Sequence, residues 1–213
     1  MQQSPTTPSP GAPLTKPDAA TLNALFRPRS VAVIGASRDA STVSGAIFAN
    51  LLKHHFEGPV YPVNPRSGVV QSVAAYPSIT DIPGEVDLAI VVVPSRLAIP
   101  VVEACGRKGV KAVVVISAGF REMGGEGAAL ERRLLEVVRE HGMRLVGPNC
   151  LGVINTEAGV RLDAQFAPCW PPAGSVAFSS QSGALGVAIL EYASSLNIGI
   201  SHFVSVGNKA DVS

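Results

Sequence analysis

Cysteine is scarce in this chain. There are three, Cys105, Cys150 and Cys169, and no two are spaced as a CxxC pair, which argues against a zinc ribbon or a disulfide framework and fits a reducing, cytoplasmic setting. Net charge is nearly absent at +1, so nothing electrostatic calls for nucleic acid or an anionic membrane as partner. Long apolar runs are missing as well. The longest, around residues 88–94 and 112–116, are too short to cross a bilayer. No basic stretch followed by an apolar one opens the chain, so no secretory leader is expected. The histidines, His54, His55, His141 and His202, show no metal-ligand spacing with a second ligand, and no metal is expected.

What is present is apolar and patterned. Hydrophobic residues make up 46% of the 213 and charged ones 15%, enough for a sizeable core. The length suits one full domain and part of a second. Residues 1–17 hold Pro5, Pro8, Pro10, Pro13 and Pro17 among small polar residues, and are expected to be a disordered tail. Asp18 is placed to cap a short helix ending near Phe26. From there apolar runs at 31–34, 60–63, 88–93, 112–116 and 145–146 alternate with helical spacing at 43–55, 96–108 and 126–141. The runs are continuous rather than alternating, the mark of parallel strands buried on both faces with helices as crossovers. The fold class is therefore α/β, a doubly wound, Rossmann-like sheet over residues 18–146. The turn Gly147–Gly152 marks a junction. A looser, proline-rich stretch follows, and then the alternation restarts with a strand at 176–179, a helix at 183–196 and a strand at 200–206. Residues 147–213 read as the junction and an incomplete second α/β domain.

Ligands of an open parallel sheet bind beyond the carboxyl ends of its strands, so the loops there are the candidates. Gly35, Ser37, Arg38, Asp39 and Ala40 follow the first strand and lead into a helix, whose N-terminal N–H groups suit a phosphate. An ordinary tight turn fits the same residues. The loop is not GxGxxG, and the second strand ends in Asn64, Pro65, Arg66 and Ser67 rather than in the carboxylate that an NAD site wants. A nucleotide with an extra ribose phosphate suits Arg66 better, which leaves NADP and coenzyme A. Pro94 and Ser95 follow the third strand, with Ser95 as the expected helix cap. Ile116, Ser117 and Ala118 follow the fourth and leave room for a ligand. In the second half, Ser180, Gln181, Ser182 and Gly183 open a helix and could cradle an anion or carboxylate. The Gly-Lys-Ser/Thr ending of a P-loop and the G-x-S-x-G of a nucleophile elbow are both absent. Asn208 and Lys209 would lie beside that cradle if the local sheet is parallel. Cys150 has no nameable histidine partner and reads as a small buried hydrophobe.

Taken in order, Phe26–Ser37, Val60–Pro65, Ile116–Phe120, Gly147–Gly152, Ser180–Leu185 and Gly207–Asp211 resemble the NDP-forming acyl-CoA synthetases, a family that includes the ADP-forming acetyl-CoA synthetases and is similar to the α subunit of succinyl-CoA synthetase. The resemblance covers about residues 22–213. It implies a CoA-binding domain followed by a flavodoxin-like ligase domain. Ser37–Ala40, Arg66, Ser67 and Ile116–Ala118 would contact CoA. Asn149 and Cys150 would lie near its thiol end, and Ser180–Leu185 would face phosphate. It also implies interconversion of acyl-CoA, ADP and phosphate with a carboxylic acid, CoA and ATP, the nucleotide bound with Mg. In the family a phosphohistidine carries the phosphoryl group, and none of the histidines here stands in its Gly/Ala/Ser-rich context. No catalytic residue is therefore assigned. The ligase and ATP-grasp portions would act in cis or as another subunit, and the chain alone is expected to be inactive. Two other readings remain at this point: a non-catalytic CoA-sensing module of a protein acyltransferase fusion, and an NAD(P)-dependent oxidoreductase.

Overall fold

A computed structural model describes residues 19–212. The expected tail over residues 1–17 and the capping role of Asp18 lie outside the described residues. Helix α1 spans Ala19–Phe26, β1 Val31–Ile34, α2 Val43–Lys53, β2 Val60–Val63, β3 Val69–Val70, β4 Val73–Ala74, β5 Leu88–Val91, α3 Ser95–Lys108, β6 Ala112–Val115, α4 Gly125–Glu140 and β7 Arg144–Val146. The second half adds β8 Gly152–Asn155, β9 Leu162–Gln165, β10 Ala173–Ser180, α5 Gly183–Ser195 and β11 Ile200–Ser205.

The first sheet runs β2-β1-β5-β6-β7, and every pairing in it is parallel. Its central strands read VAVI, LAIV and AVVV and are buried throughout. Side chains on both pleat faces are apolar because helices cover both faces. On one face α2 contributes Ile47, Phe48 and Leu51. On the other, α3 and α4 contribute Val102, Cys105, Leu134 and Val137. The expected doubly wound α/β domain is the observed one.

The second sheet runs β10-β11-β8-β9. Strands β10 and β11 are parallel, as their run-loop-helix-run pattern predicts. Strands β8 and β9 form an antiparallel hairpin that joins β11 edge to edge. This corrects the reading of that stretch as loose. The hairpin escapes notice because its strands bury polar residues, Asn155, Asp163 and Gln165, which break the apolar signature. Leu162 and Ala164 of β9 share a core with α2, so α2 is packed on two sides. The Asn50 side chain donates to the carbonyls of Gln165 at 2.8 Å and Ala167 at 3.1 Å, bolting helix to hairpin. Ser95 is the first residue of α3 rather than its cap. Pro94 holds the cap position and makes no side-chain cap bond, its ring having no acceptor to offer.

Candidate functional site

In the first sheet β2 and β5 flank β1 on opposite sides, so the connections leave the carboxyl edge in opposite directions and a crevice opens there. Gly35 turns the chain at that point with φ +89, and a Cβ on it would stand 2.3 Å from the Val92 carbonyl oxygen. Only glycine fits both the left-handed turn and the close approach to the β5 loop. The following loop is braced from within. The Asp39 carboxylate accepts from the Ser41 backbone N–H at 2.9 Å and from its hydroxyl at 2.7 Å, and these bonds hold its pKa below the ordinary value. Asp39 thus shapes the loop. Thr42 caps α2 through its hydroxyl, which accepts from the Gly45 N–H at 3.2 Å. Gly45 is a close-approach position that the GxGxxG test passes over. A Cβ there would lie 1.9 Å from the Asp39 carbonyl oxygen, so the loop folds directly onto the first turn of the helix.

This leaves the loop's outward chemistry free. The backbone N–H groups of Ser37, Arg38 and Ala40 have no hydrogen-bond partner among the described residues. Arg38 is exposed, as is Ala40, and among the described residues Arg38 makes no ion pair. Across from it, Asn64 donates to the Ala36 carbonyl at 2.8 Å, and its own side-chain oxygen accepts from the Arg66 N–H at 2.8 Å. Asn64 therefore helps to shape the loop. Pro65 and Arg66 are exposed, while the Ser67 hydroxyl is spent on the Val69 carbonyl at 2.6 Å.

Beyond the ends of β5, β6 and β7 lies a cavity of about 570 Å³. Ile116, Ser117 and Ala118 form one wall, and Asn149 and Cys150 the floor. Phe166 and Ala167 beyond β9 close it, with Gly183 and Val187 of α5. No charged side chain lines it. Cys150 is buried, its sulfur 3.4 Å from the Val115 carbonyl oxygen, and burial pushes its thiol up to about 12. Burial thus favours the protonated thiol, which fits the small buried hydrophobe read from the sequence. Pro94 is exposed at the start of α3 and does not line the cavity.

The Ser-rich turn is mostly committed to its own helix. Ser182 caps α5 by accepting from the Leu185 N–H at 3.3 Å, and the Ser180 hydroxyl donates to the Ser182 carbonyl at 2.8 Å. Gln181 is exposed, and Gly183 faces the cavity. Asn208 and Lys209 follow strand β11, which pairs with β10 in parallel as that reading requires. Parallel pairing does bring Val206 to Ser180, at 2.9 Å, but the chain then crosses to the first domain, where the Asn208 N–H donates to the Pro148 carbonyl at 2.9 Å. The buried Asn208 amide donates to Glu122 at 2.6 Å and Glu131 at 2.7 Å. Lys209 lines a shallow depression of about 220 Å³ with Arg121 and Glu131. Sequence reasoning missed Phe166 and Ala167, which sit in the proline-rich stretch read as loose, and Val92, hidden as the tail of a strand.

The arrangement joins two chemistries. An electropositive rim with unpaired N–H groups, built on a helix N-terminus, suits phosphate, and the uncharged cavity beside it suits an apolar, neutral arm. Comparison with known proteins agrees. Residues 173–213 match the succinyl-CoA ligase like flavodoxin domain. The chain is 46% identical to the α subunit of acetate–CoA ligase [ADP-forming] I of Pyrococcus furiosus, over 90% of this chain and 42% of that protein. It is 50% identical to acetate–CoA ligase [ADP-forming] I of Archaeoglobus fulgidus, over 89% of this chain and 27% of that one. Among solved structures it is similar to the apo form of the dinucleotide forming acetyl-coenzyme A synthetase 1 of Ca. Korarchaeum cryptofilum, with TM-score 0.85, 44% identity and coverage of 90% of this chain and 41% of that chain. The chain thus spans less than half the length of these relatives. Neither the oxidoreductase nor the acyltransferase-fusion reading finds support among them. Residues 29–156, more than half of the sequence, match the CoA binding domain, and the chain belongs to that family.

Proposed function

We propose that this chain is the CoA-binding part of an ADP-forming acyl-CoA ligase. The observation that carries this reading is the meeting of the phosphate-suited rim at Ser37–Ala40 and Arg66 with the uncharged cavity beyond β6 and β7. CoA has that same division, with phosphates at one end and a neutral thiol-bearing arm at the other. The N–H groups of Ser37 and Arg38 and the Arg38 and Arg66 guanidinium groups bind and orient the phosphates. The arm enters between Ile116–Ala118 and Phe166, and the thiol lies near Asn149 and Cys150. The Ser180–Gly183 turn brings the N-terminus of α5 to the same cavity.

In the complete reaction, acyl-CoA, ADP and phosphate interconvert with a small carboxylic acid, CoA and ATP, the nucleotide bound with Mg. No histidine lines the cavity, and in this reading the phosphoryl carrier and the ATP-grasp portion act in cis or as another subunit. No described helix is long and apolar enough to cross a membrane, in keeping with a cytoplasmic ligase.

Thermal unfolding with and without CoA, with NADP as control, tests the binding claim. Ligand at 100 times its dissociation constant stabilises by about 2.7 kcal/mol, and a chain of this size should then melt roughly 5–10 °C higher. We expect that shift with CoA and none with NADP. A shift with NADP alone would return the dinucleotide reading to first place.

A further inference from the structure

We infer that Gln71 is a positioning residue for the phosphate-binding loop, its side-chain amide holding two backbone carbonyls so that the loop's N–H groups stay turned to the ligand. This rests on the CoA reading above. Gln71 lies outside the loop, at the tip of the small hairpin of β3 and β4. Its Nε2 donates to the carbonyl of Ser37 at 3.1 Å and to that of Gly45 at 3.0 Å. Both amide hydrogens are used, one on the loop and one on the first turn of α2.

The hairpin accepts strain to place this side chain. Gln71 and Ser72 are the two central residues of the turn between Val70 and Val73, and both have positive φ, +46 and +68. Such two-residue turns favour Asn-Gly or Gly-Gly, because residues with a larger side chain resist the left-handed region. A glutamine there is disfavoured by the turn alone, and its side chain supplies what the turn does not.

The consequence for the loop follows from the planar peptide, in which C=O and N–H point in opposite directions. Asn64 draws the Ala36 carbonyl toward the segment after β2, and Gln71 draws the Ser37 carbonyl to the same flank. The next N–H groups, those of Ser37 and Arg38, are therefore turned to the opposite flank, toward β5 and the crevice. Neither has a partner among the described residues. Successive N–H groups converging on one side form an anion-binding concavity. Without Gln71 the Ser37–Arg38 peptide is free to rotate and to present a carbonyl oxygen to the phosphate.

Two variants separate positioning from folding. Gln71→Met keeps length and removes both donors. Gln71→Gly also removes the donors, but relieves the strained φ, which offsets part of the loss of the two bonds. Affinity is measured by calorimetry for CoA, and by competition or NMR for pantetheine, which has the thiol arm but no phosphate. We expect both variants to lose roughly 10-fold in CoA affinity, the worth of one charge-assisted hydrogen bond. Pantetheine affinity should stay within about twofold, and Gln71→Gly should melt higher than Gln71→Met, since only the glycine relieves the strained φ. If the wild type binds CoA and both variants bind it equally well, or if CoA and pantetheine weaken by the same factor, Gln71 does not position the loop. If the wild type fails to bind CoA, the functional reading itself falls.

Discussion

Asp211→Ala should lower the unfolding free energy by about 3–5 kcal/mol, the usual cost of removing one partner from a buried ion pair. The Asp211 and Arg144 side chains are only 3% and 10% exposed, and Nε meets Oδ2 at 2.9 Å. The same oxygen accepts from the Leu145 N–H at 3.0 Å. Removing the carboxylate leaves a guanidinium and a backbone donor in the interior without an acceptor. The pair also anchors the strap that follows β11. Ala210 N donates to the Gly147 carbonyl at 3.2 Å and Val212 N to that of Leu145 at 3.1 Å, so the strap runs along the free edge of β7. That edge would otherwise expose unpaired backbone groups. Urea denaturation measures the loss. The double variant Arg144→Met, Asp211→Ala should recover part of it, because no buried charge is then stranded. A single variant within about 1 kcal/mol of the wild type would show that the strap is held by its backbone bonds alone. Because the strap clasps the Gly147–Asn149 turn at the cavity floor, the same variant should also weaken CoA binding.

Much of this architecture is legible in the sequence, and the illegible parts have common causes. The strands of the first sheet announce themselves because burial on both faces leaves an unbroken apolar run, as in Val113–Val115. The hairpin of β8 and β9 does not, because Asn155, Asp163 and Gln165 are buried polar residues that break the apolar run. Asn155 donates to the Phe26 carbonyl at 2.8 Å, a contact that no local pattern foretells. The loop after β1 is recognisable from Gly35 and the serines. Which of its side chains face a ligand is not, since Asp39 and Ser41 bond to each other. Asn208 is a site candidate in sequence, and its side chain also fastens the two halves by donating to Glu122 and Glu131; the long-range pairing of Asp211 with Arg144 carries no local signal. Gln71 carries no motif at all, and its role emerges only when the hairpin is folded over the loop.

The second large effect concerns acid and base. Asp163→Asn should leave stability almost unchanged at pH 3 and raise it at pH 8 by an amount on the order of 4 kcal/mol. The Asp163 side chain is 1% exposed. Its Oδ1 accepts from Gln165 at 2.9 Å, but Oδ2 has no hydrogen-bond partner. Burial pushes the carboxyl up to about 7, against weaker downward pulls from the Gln165 bond and Lys53. His54 Nε2 stands 3.5 Å away, with its ring stacked on Trp170 at 4.7 Å. Burial, with the charges of Lys53 and Arg161 and the nearby His55, lowers the pKa of that histidine, so it is poorly placed to serve as a countercation. A carboxyl whose folded pKa exceeds its unfolded one binds its proton more tightly in the native state. Its contribution is whole below the unfolded value near pH 4, and is lost as pH rises to about 7. The depressed His54 acts with the opposite sign, losing stability as pH falls below about 6.5. Because His54 stands against Asp163, what survives in the difference between wild type and variant is the coupling of the two groups. Asparagine keeps the shape and the Gln165 acceptor but has no charge to bury, so its advantage should grow from about pH 4 to about pH 7. A variant less stable than the wild type at pH 8 would mean that the carboxylate is ion-paired with a protonated His54. The Asp163–Gln165 brace lies directly behind Ala167, since the Gln165 amide donates to the Ala167 carbonyl at 2.8 Å. A change of charge at Asp163 is therefore felt at the cavity wall, and CoA affinity in the wild type should weaken over the same pH interval relative to the Asn variant.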